Sequence, residues 1–354
     1  MMILALKAIA VAVCRADGVR AEGGADGKAP AGGGRRAAAL AAIAEGQRRR
    51  ALREMPGPLA YLGYMFNCGS CLVGPYNEIR DYLDWAEGAG AWDERAGGYD
   101  AAARAGRWRA AGAALLKLSA CVSLHLLIDA RVRPDTVNAT DTGAPGKLLL
   151  AHLVCVSARM RFYFVWILGE LGGILSGLGY AGGGRWDRLR NQDILGIELC
   201  TSCAMLPIGW NIQVSTWLRR YAYERYLQHG ASADAAVVLT QLVSAVWHGV
   251  YPGYLIFFLS SAICIQLSKR IHKRTVRLEG TRVYAWAVRP LLFLLTQIHN
   301  SCAGFSFVVL LWRDSIEFFR SVYFLNFALM AATLAVDLAL PRPRAGGAGK
   351  PKES

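Results

Sequence analysis

Residues 235–268 run without a single Asp, Glu, Lys or Arg, and one histidine, His248, sits near their middle. About 20 apolar residues already span a bilayer, so a run of this length commits the chain to a membrane and places His248 at membrane depth. The run stops abruptly at the basic pair Lys269-Arg270. Ionisable groups are expensive in hydrocarbon and mark functional sites there. Trp247 and Gly249 flank the histidine, and Tyr251-Pro252-Gly253-Tyr254 follows. These residues add aromatic walls and two backbone-softening sites, for which a plain anchor has no use.

Composition agrees with a membrane protein that has substantial polar loops. Of 354 residues, 54% are hydrophobic, and the mean hydropathy is +0.27. The net charge of +14 sits largely beside apolar runs, at Arg48-Arg49-Arg50 and across 269–282. That placement fits the positive-inside bias and anionic lipid headgroups, and it argues against a nucleic-acid partner. Two CxxC pairs, Cys68/Cys71 and Cys200/Cys203, lie in hydrophobic sequence without a neighbouring histidine. They read as free, buried thiols, with neither a metal nor a disulfide framework implied. Residues 1–13 are apolar with Lys7 as the one charge, too short for a span and without a cleavage site.

Along the chain, 37–53 suits a surface helix on the headgroups. Residues 58–76, interrupted by Gly63, Gly69 and Gly74-Pro75, suit a short or re-entrant element. A mixed-charge loop at 77–109 carries interfacial Trp85, Trp92 and Trp108, and a span follows at 110–128. Asn138-Ala-Thr140 is a glycosylation sequon in a loop. Further apolar stretches are 148–180, 194–210 (holding Glu198), 283–312 and 316–340; a disordered tail is expected over 341–354. The count is about seven to nine membrane elements. The fold class is therefore an all-α polytopic membrane protein, with one multispanning domain over 1–340.

Two constellations carry chemistry. A neutral imidazole at His248 can take a proton from an alcohol; the alternative is a histidine hydrogen-bonding a neighbouring helix. His125, His152 and His299 read as structural or interfacial. The second constellation is Trp210-Asn211, followed by Gln213, Ser215, Trp217, Arg219, Arg220 and Arg225. On a helix Trp210, Val214 and Trp217 share a face with Asn211 and Ser215 beside it, and the arginines gather at the far end, within reach of a phosphate. Asn211 can donate to a developing oxyanion; the alternative is an interfacial helix with snorkelling arginines.

Taken in order, Trp210-Asn211, the Arg-rich helix and then Trp247-His248-Gly249-Val250-Tyr251-Pro252-Gly253-Tyr254 resemble the membrane-bound O-acyltransferase family, in its lysophospholipid acyltransferase branch. Gly74-Pro75 with Glu78 and Tyr82, and Arg159-Met160-Arg161-Phe162-Tyr163 with Trp166, are similar to two further blocks of that family. Departures are Val214 where the branch usually has Thr, and Arg161 and Phe162 where it has Lys and Tyr.

The resemblance implies a multi-helix core around an intramembrane cavity, in which His248 and Asn211 are catalytic. Trp247, Trp210, Ser215, Tyr254, Arg219 and Arg220 would contact substrates. The substrates would be acyl-CoA, as co-substrate with no further cofactor, and a lysophospholipid, in the endoplasmic reticulum membrane. Family members generally have more helices upstream, so this chain is expected to begin inside a longer membrane domain. Other readings stay open: a sterol, diacylglycerol or protein acceptor, a transporter with His248 as proton relay, or an inactive scaffold.

Overall fold

The computed structural model describes residues 2–23, 34–67, 69–71 and 74–341. Their regular structure is helical, and the β-type pairings among them are isolated bridges, Gly182 with Arg185 and Gln192 with Trp210. Helix α1 (Met2–Glu22) is followed by α2 (Arg35–Arg50), α3 (Pro58–Met65) and α4 (Ile79–Glu87). Residues 1–13 were too short to span by themselves, but the helix they begin continues for 21 residues, past Arg15 and Asp17.

The frame of the bundle is a hairpin of two long helices, α5 (Ala101–Asp129) and α7 (Gly143–Ser176), joined through the short α6 (Pro134–Ala139). Asp100 caps α5 by accepting from Ala103 N at 2.8 Å, satisfying one of the orphan donors of the first turn. Ala111, Ala114 and Cys121 of α5 are buried against Met160, Tyr163 and Ile167 of α7, while Leu116, Leu126 and Leu127 face outward. An outward leucine surface is what a lipid-facing helix requires. The sequon residue Asn138 lies on α6 and donates its amide to the Asp314 carbonyl at 3.1 Å.

Four short helices follow, α8 (Ile194–Glu198), α9 (Leu206–Gly209), α10 (Ile212–Leu218) and α11 (Glu224–Gln228), the last two joined by a π-helical turn over Arg219–Tyr223. Such π-bulges recur at functional sites. The apolar run holding Glu198 is thus two short helices joined by turns rather than one spanning helix. Glu198 instead receives Arg159 in a two-pronged pair, Nε to Oε1 at 2.8 Å and an Nη to Oε2 at 2.6 Å. Tyr163 adds a hydroxyl bond to the same carboxylate at 2.9 Å.

The uncharged run is not one span. It divides into α12 (Ala233–His248) and α13 (Pro252–Thr275), so His248 ends a helix rather than sitting inside one. Gly249 leaves the helix at φ 127°, a conformation open to glycine and strained for other residues. Pro252 fixes the first turn of α13 and biases Tyr251 to the extended backbone observed there. With 16 residues, α12 measures about 24 Å at the usual helical rise, short of the ~30 Å hydrocarbon layer.

Packed on α13 are α14 (Arg289–Val309), α15 (Trp312–Ser321) and α16 (Leu325–Ala339). Among the described residues four helical stretches are long and apolar enough to cross a membrane, Ala101–Ala139, Gly143–Ser176, Pro252–Leu278 and Tyr284–Val309. The pair α15 and α16, bent by 68° at Tyr323 and Phe324, makes a fifth if taken as one broken span. The other apolar stretches counted among the seven to nine membrane elements fold as shorter or less apolar helices, α1, α3, α8, α9 and α12 among them. The expected tail beyond residue 341 lies outside the described residues.

The joint after His248 has little slack. Gly253 N donates to Leu310 O at 2.8 Å, and a Cβ on Gly253 would stand 2.1 Å from Ser306 O. Backbone fills that space, so Gly253→Ala must part α13 from α14. We expect a loss of about 1–3 kcal/mol, the usual cost of overpacking, read as a lowered unfolding temperature of the detergent-purified protein. An unchanged temperature would mean that the two backbones separate freely.

Candidate active site

His248 is half-buried at the seam between α12 and α13. Its Nδ1 lies 2.7 Å from the Ser244 carbonyl oxygen, one turn back. A carbonyl only accepts, so Nδ1 carries the ring hydrogen and the neutral imidazole keeps its lone pair at Nε2. The helix therefore fixes the tautomer, and the free nitrogen is what a general base needs. Aromatic rings wall the imidazole: Trp247 with centroids 4.6 Å apart, Phe258 at 4.9 Å, Phe307 at 5.5 Å and Tyr254 at 5.6 Å.

Asn211 sits between α9 and α10 in the left-handed region, φ 46° and ψ 53°, which asparagine tolerates better than other side chains do. As the residue preceding a helix it would ordinarily cap the first turn, but its side chain makes no capping bond. Its Oδ1 instead accepts from Asn191 Nδ2 at 3.0 Å. Asn191 is fully buried and held on three further sides: its N donates to Glu170 Oε1 at 2.6 Å, its Oδ1 accepts from Gln213 N at 2.9 Å, and its O accepts from Ile212 N at 2.8 Å.

Those bonds settle which way each amide points. Because Asn191 Oδ1 takes a backbone N–H, its Nδ2 must face Asn211, which in turn presents Oδ1 inward. The Nδ2 of Asn211 then has no partner among the described residues and stays available as a donor.

Trp210 is extended rather than helical, bridged to Gln192, so it does not share the α10 face with the buried Val214 and Trp217. Its ring packs on Trp166 at 4.8 Å and on Tyr163 at 5.5 Å. Ser215 Oγ donates to the Trp210 carbonyl at 3.1 Å, locking the entry to α10.

The Asn211 and His248 groups share no hydrogen bond in the described residues. They meet through rings: Trp210 touches Phe162 at 5.8 Å, Phe162 touches Phe307 at 6.4 Å, and Phe307 lies on His248. Helix α1 holds the other side, with Trp217 Nε1 donating to Leu6 O at 3.0 Å and Trp247 Nε1 to Met2 O at 3.3 Å.

The arginines are mostly engaged. Arg220 pairs with Glu78 at 2.7 Å, and that carboxylate also accepts from the Tyr76 and Tyr221 hydroxyls. Arg225 grips Asp17 of α1 through both terminal nitrogens. Arg219 bonds Glu224 at 3.0 Å but leaves 72% of its side chain exposed. Of these three arginines Arg219 is thus the one that presents most of its side chain to the surroundings.

Asn191, Glu170 and Phe307 escaped sequence reasoning. Asn191 lies 20 residues from its amide partner, and no local pattern signals that contact. Its role gives a clean test. Asn191→Asp keeps the acceptor for Gln213 N and loses the donor to Asn211. The new carboxyl is buried beside Glu170 and costs stability, so turnover is read per amount of folded protein, and it should fall ~10²-fold in an acyl-transfer assay, as for a misplaced catalytic group. A wild-type rate would show that Asn211 is oriented by something else.

The chain resembles known proteins over most of its length. Residues 6–309 match the membrane-bound O-acyltransferase family. The chain is 32% identical to lysophospholipid acyltransferase 1 of Arabidopsis thaliana, over 96% of this chain and 72% of that protein. Identity to lysophospholipid acyltransferase 2 of the same plant is 33%, over 96% and 71%. Against membrane-bound glycerophospholipid O-acyltransferase 1 of Homo sapiens it is 30%, over 90% of this chain and 66% of that protein.

Proposed function

The chain belongs to the membrane-bound O-acyltransferase family, and on that premise we propose that it moves a fatty acyl group from acyl-CoA to the free hydroxyl of a lysophospholipid. The observation that carries the reading is the complementary state of two side chains. His248 offers an unprotonated Nε2 because Nδ1 is held by Ser244 O, and Asn211 offers an unspent Nδ2 because Oδ1 is held by Asn191.

A thioester is already activated, so the remaining tasks are to deprotonate a weakly acidic alcohol and to align two amphiphiles. His248 Nε2 takes the hydroxyl proton as the oxygen attacks the thioester carbonyl. The tetrahedral oxyanion receives a hydrogen bond from Asn211 Nδ2, and one such donor is typically worth ~2.7–4 kcal/mol in the transition state. Collapse breaks the C–S bond, and the departing CoA thiolate recovers the proton from imidazolium. Neither a covalent acyl-enzyme nor a further cofactor is called for.

Trp210, Trp247 and Tyr254 provide apolar walls for the reacting chains, Ser215 holds the turn at Trp210, and Arg219 is the exposed cation for a phosphate. Arg220 acts here through Glu78, anchoring the helix. A lipid-embedded site suits these substrates, and the endoplasmic reticulum is the membrane we assign.

The test supplies labelled acyl-CoA to membranes carrying the protein, with lysophospholipids, a diacylglycerol and a sterol as acceptors. Label should appear in diacyl phospholipid. Label confined to triacylglycerol or sterol ester, or no product from folded protein, would overturn the assignment.

A further inference from the structure

Away from the two amides and His248, three soft donors converge where residues 199–205 cross α13 and α14. Cys203 Sγ and Cys264 Sγ lie 2.8 Å apart, and with a ring nitrogen of His299 the three donor atoms fall within 4.8 Å of one another. Cys203 and His299 are buried, and Cys264 is half-buried. Beside them is a cavity of about 100 Å³ that Thr296 and Asn326 also line.

The histidine is prepared for ligation. Its Nδ1 lies 3.1 Å from Asn326 Oδ1, so the ring hydrogen is spent on α16 and the lone pair stands at Nε2. A carbonyl-type oxygen behind the imidazole is the usual arrangement for a metal-binding histidine. Asn326 Nδ2, buried and without a hydrogen-bond partner among the described residues, lines the same cavity. It has a donor to offer a fourth ligand such as water, and a water needs only ~30 Å³.

We propose that Cys203, Cys264 and His299 bind a thiophilic transition-metal cation, zinc(II) or copper(I), with the fourth position open to the cavity. Two sulfurs and one imidazole without a carboxylate select those ions over hard cations. Two thiolates on one tetrahedral zinc stand about 3.8 Å apart, from Zn–S bonds of about 2.3 Å, so Cys264 must swing by about 1 Å into the cavity. Binding would release the two thiol protons to solvent. Cys200 and Cys203 form a CxxC pair without a local histidine; the fold supplies the imidazole from α14. The ion would fasten the segment leading to Trp210-Asn211 to the helix that starts just after His248.

The test reads metal, not activity, and so stands apart from the acyl-transfer assignment. The purified protein should carry about one zinc or copper per chain by elemental analysis, the stoichiometry of a single site. After chelation, Co²⁺ should restore occupancy with thiolate-to-cobalt charge-transfer absorption. Cys264→Ser, which alters only the half-buried ligand, should lose both signals while still eluting as a monodisperse protein. Wild-type protein that neither retains zinc or copper nor shows the cobalt band would overturn the proposal. So would recovery of Cys203 and Cys264 as a disulfide.

Discussion

His248→Gln should lower the rate of acyl transfer by about 10²–10⁴-fold, the usual worth of general-base assistance, with the KM for acyl-CoA little changed. Glutamine retains a polar side chain at the end of α12 but has no nitrogen lone pair to take a proton. The ring it replaces is held by one hydrogen bond to Ser244 O and by contacts with Trp247, Tyr254, Phe258 and Phe307. The packing loss is therefore modest beside the chemical one. Turnover is measured on membranes matched for protein amount, and a variant with more than a tenth of wild-type turnover would remove the imidazole from the reaction.

Glu198→Gln should be the most damaging structural change, costing about 3–5 kcal/mol, as when one partner of a buried ion pair is removed. Arg159 and Glu198 are 13% and 19% exposed, and the carboxylate also holds Tyr163. Glutamine leaves the guanidinium uncompensated in the interior between α7 and α8. Replacing both partners by methionine should recover much of the loss, because the desolvated charge disappears with its mate. Thermal unfolding in detergent reads both variants. A Glu198→Gln protein as stable as wild type would show that water reaches Arg159.

The contrast between these residues explains what was legible in the sequence. His248 and Asn211 stood out because an ionisable or amide group in apolar sequence is costly and because distinctive aromatic and glycine neighbours frame each. The all-α membrane class followed from run length alone. Helix breaks were harder. Pro252 and Gly249 were visible as softening sites, yet whether a run bends or stops depends on what packs against it, here the backbone at Ser306 of α14 and at Leu310 just beyond its end.

Pairings between distant positions carried no sequence signal at all. Arg220 read as a phosphate ligand until Glu78, 142 residues away, is seen to hold it. Asn191 is an ordinary polar residue in sequence and the hinge of the Asn211 geometry in space. Phe162, noted only as a departure from tyrosine, turns out to join the Trp210 cluster to Phe307.

The central claim is that Asn211 and His248 serve one transition state. The direct test is a double-mutant cycle on acyl transfer with Asn211→Ala, His248→Ala and the combined variant. Residues acting as a unit give strongly non-additive losses. The account predicts that the double variant is no slower than the worse single one. Losses that multiply, or product formation that survives both substitutions, would contradict it.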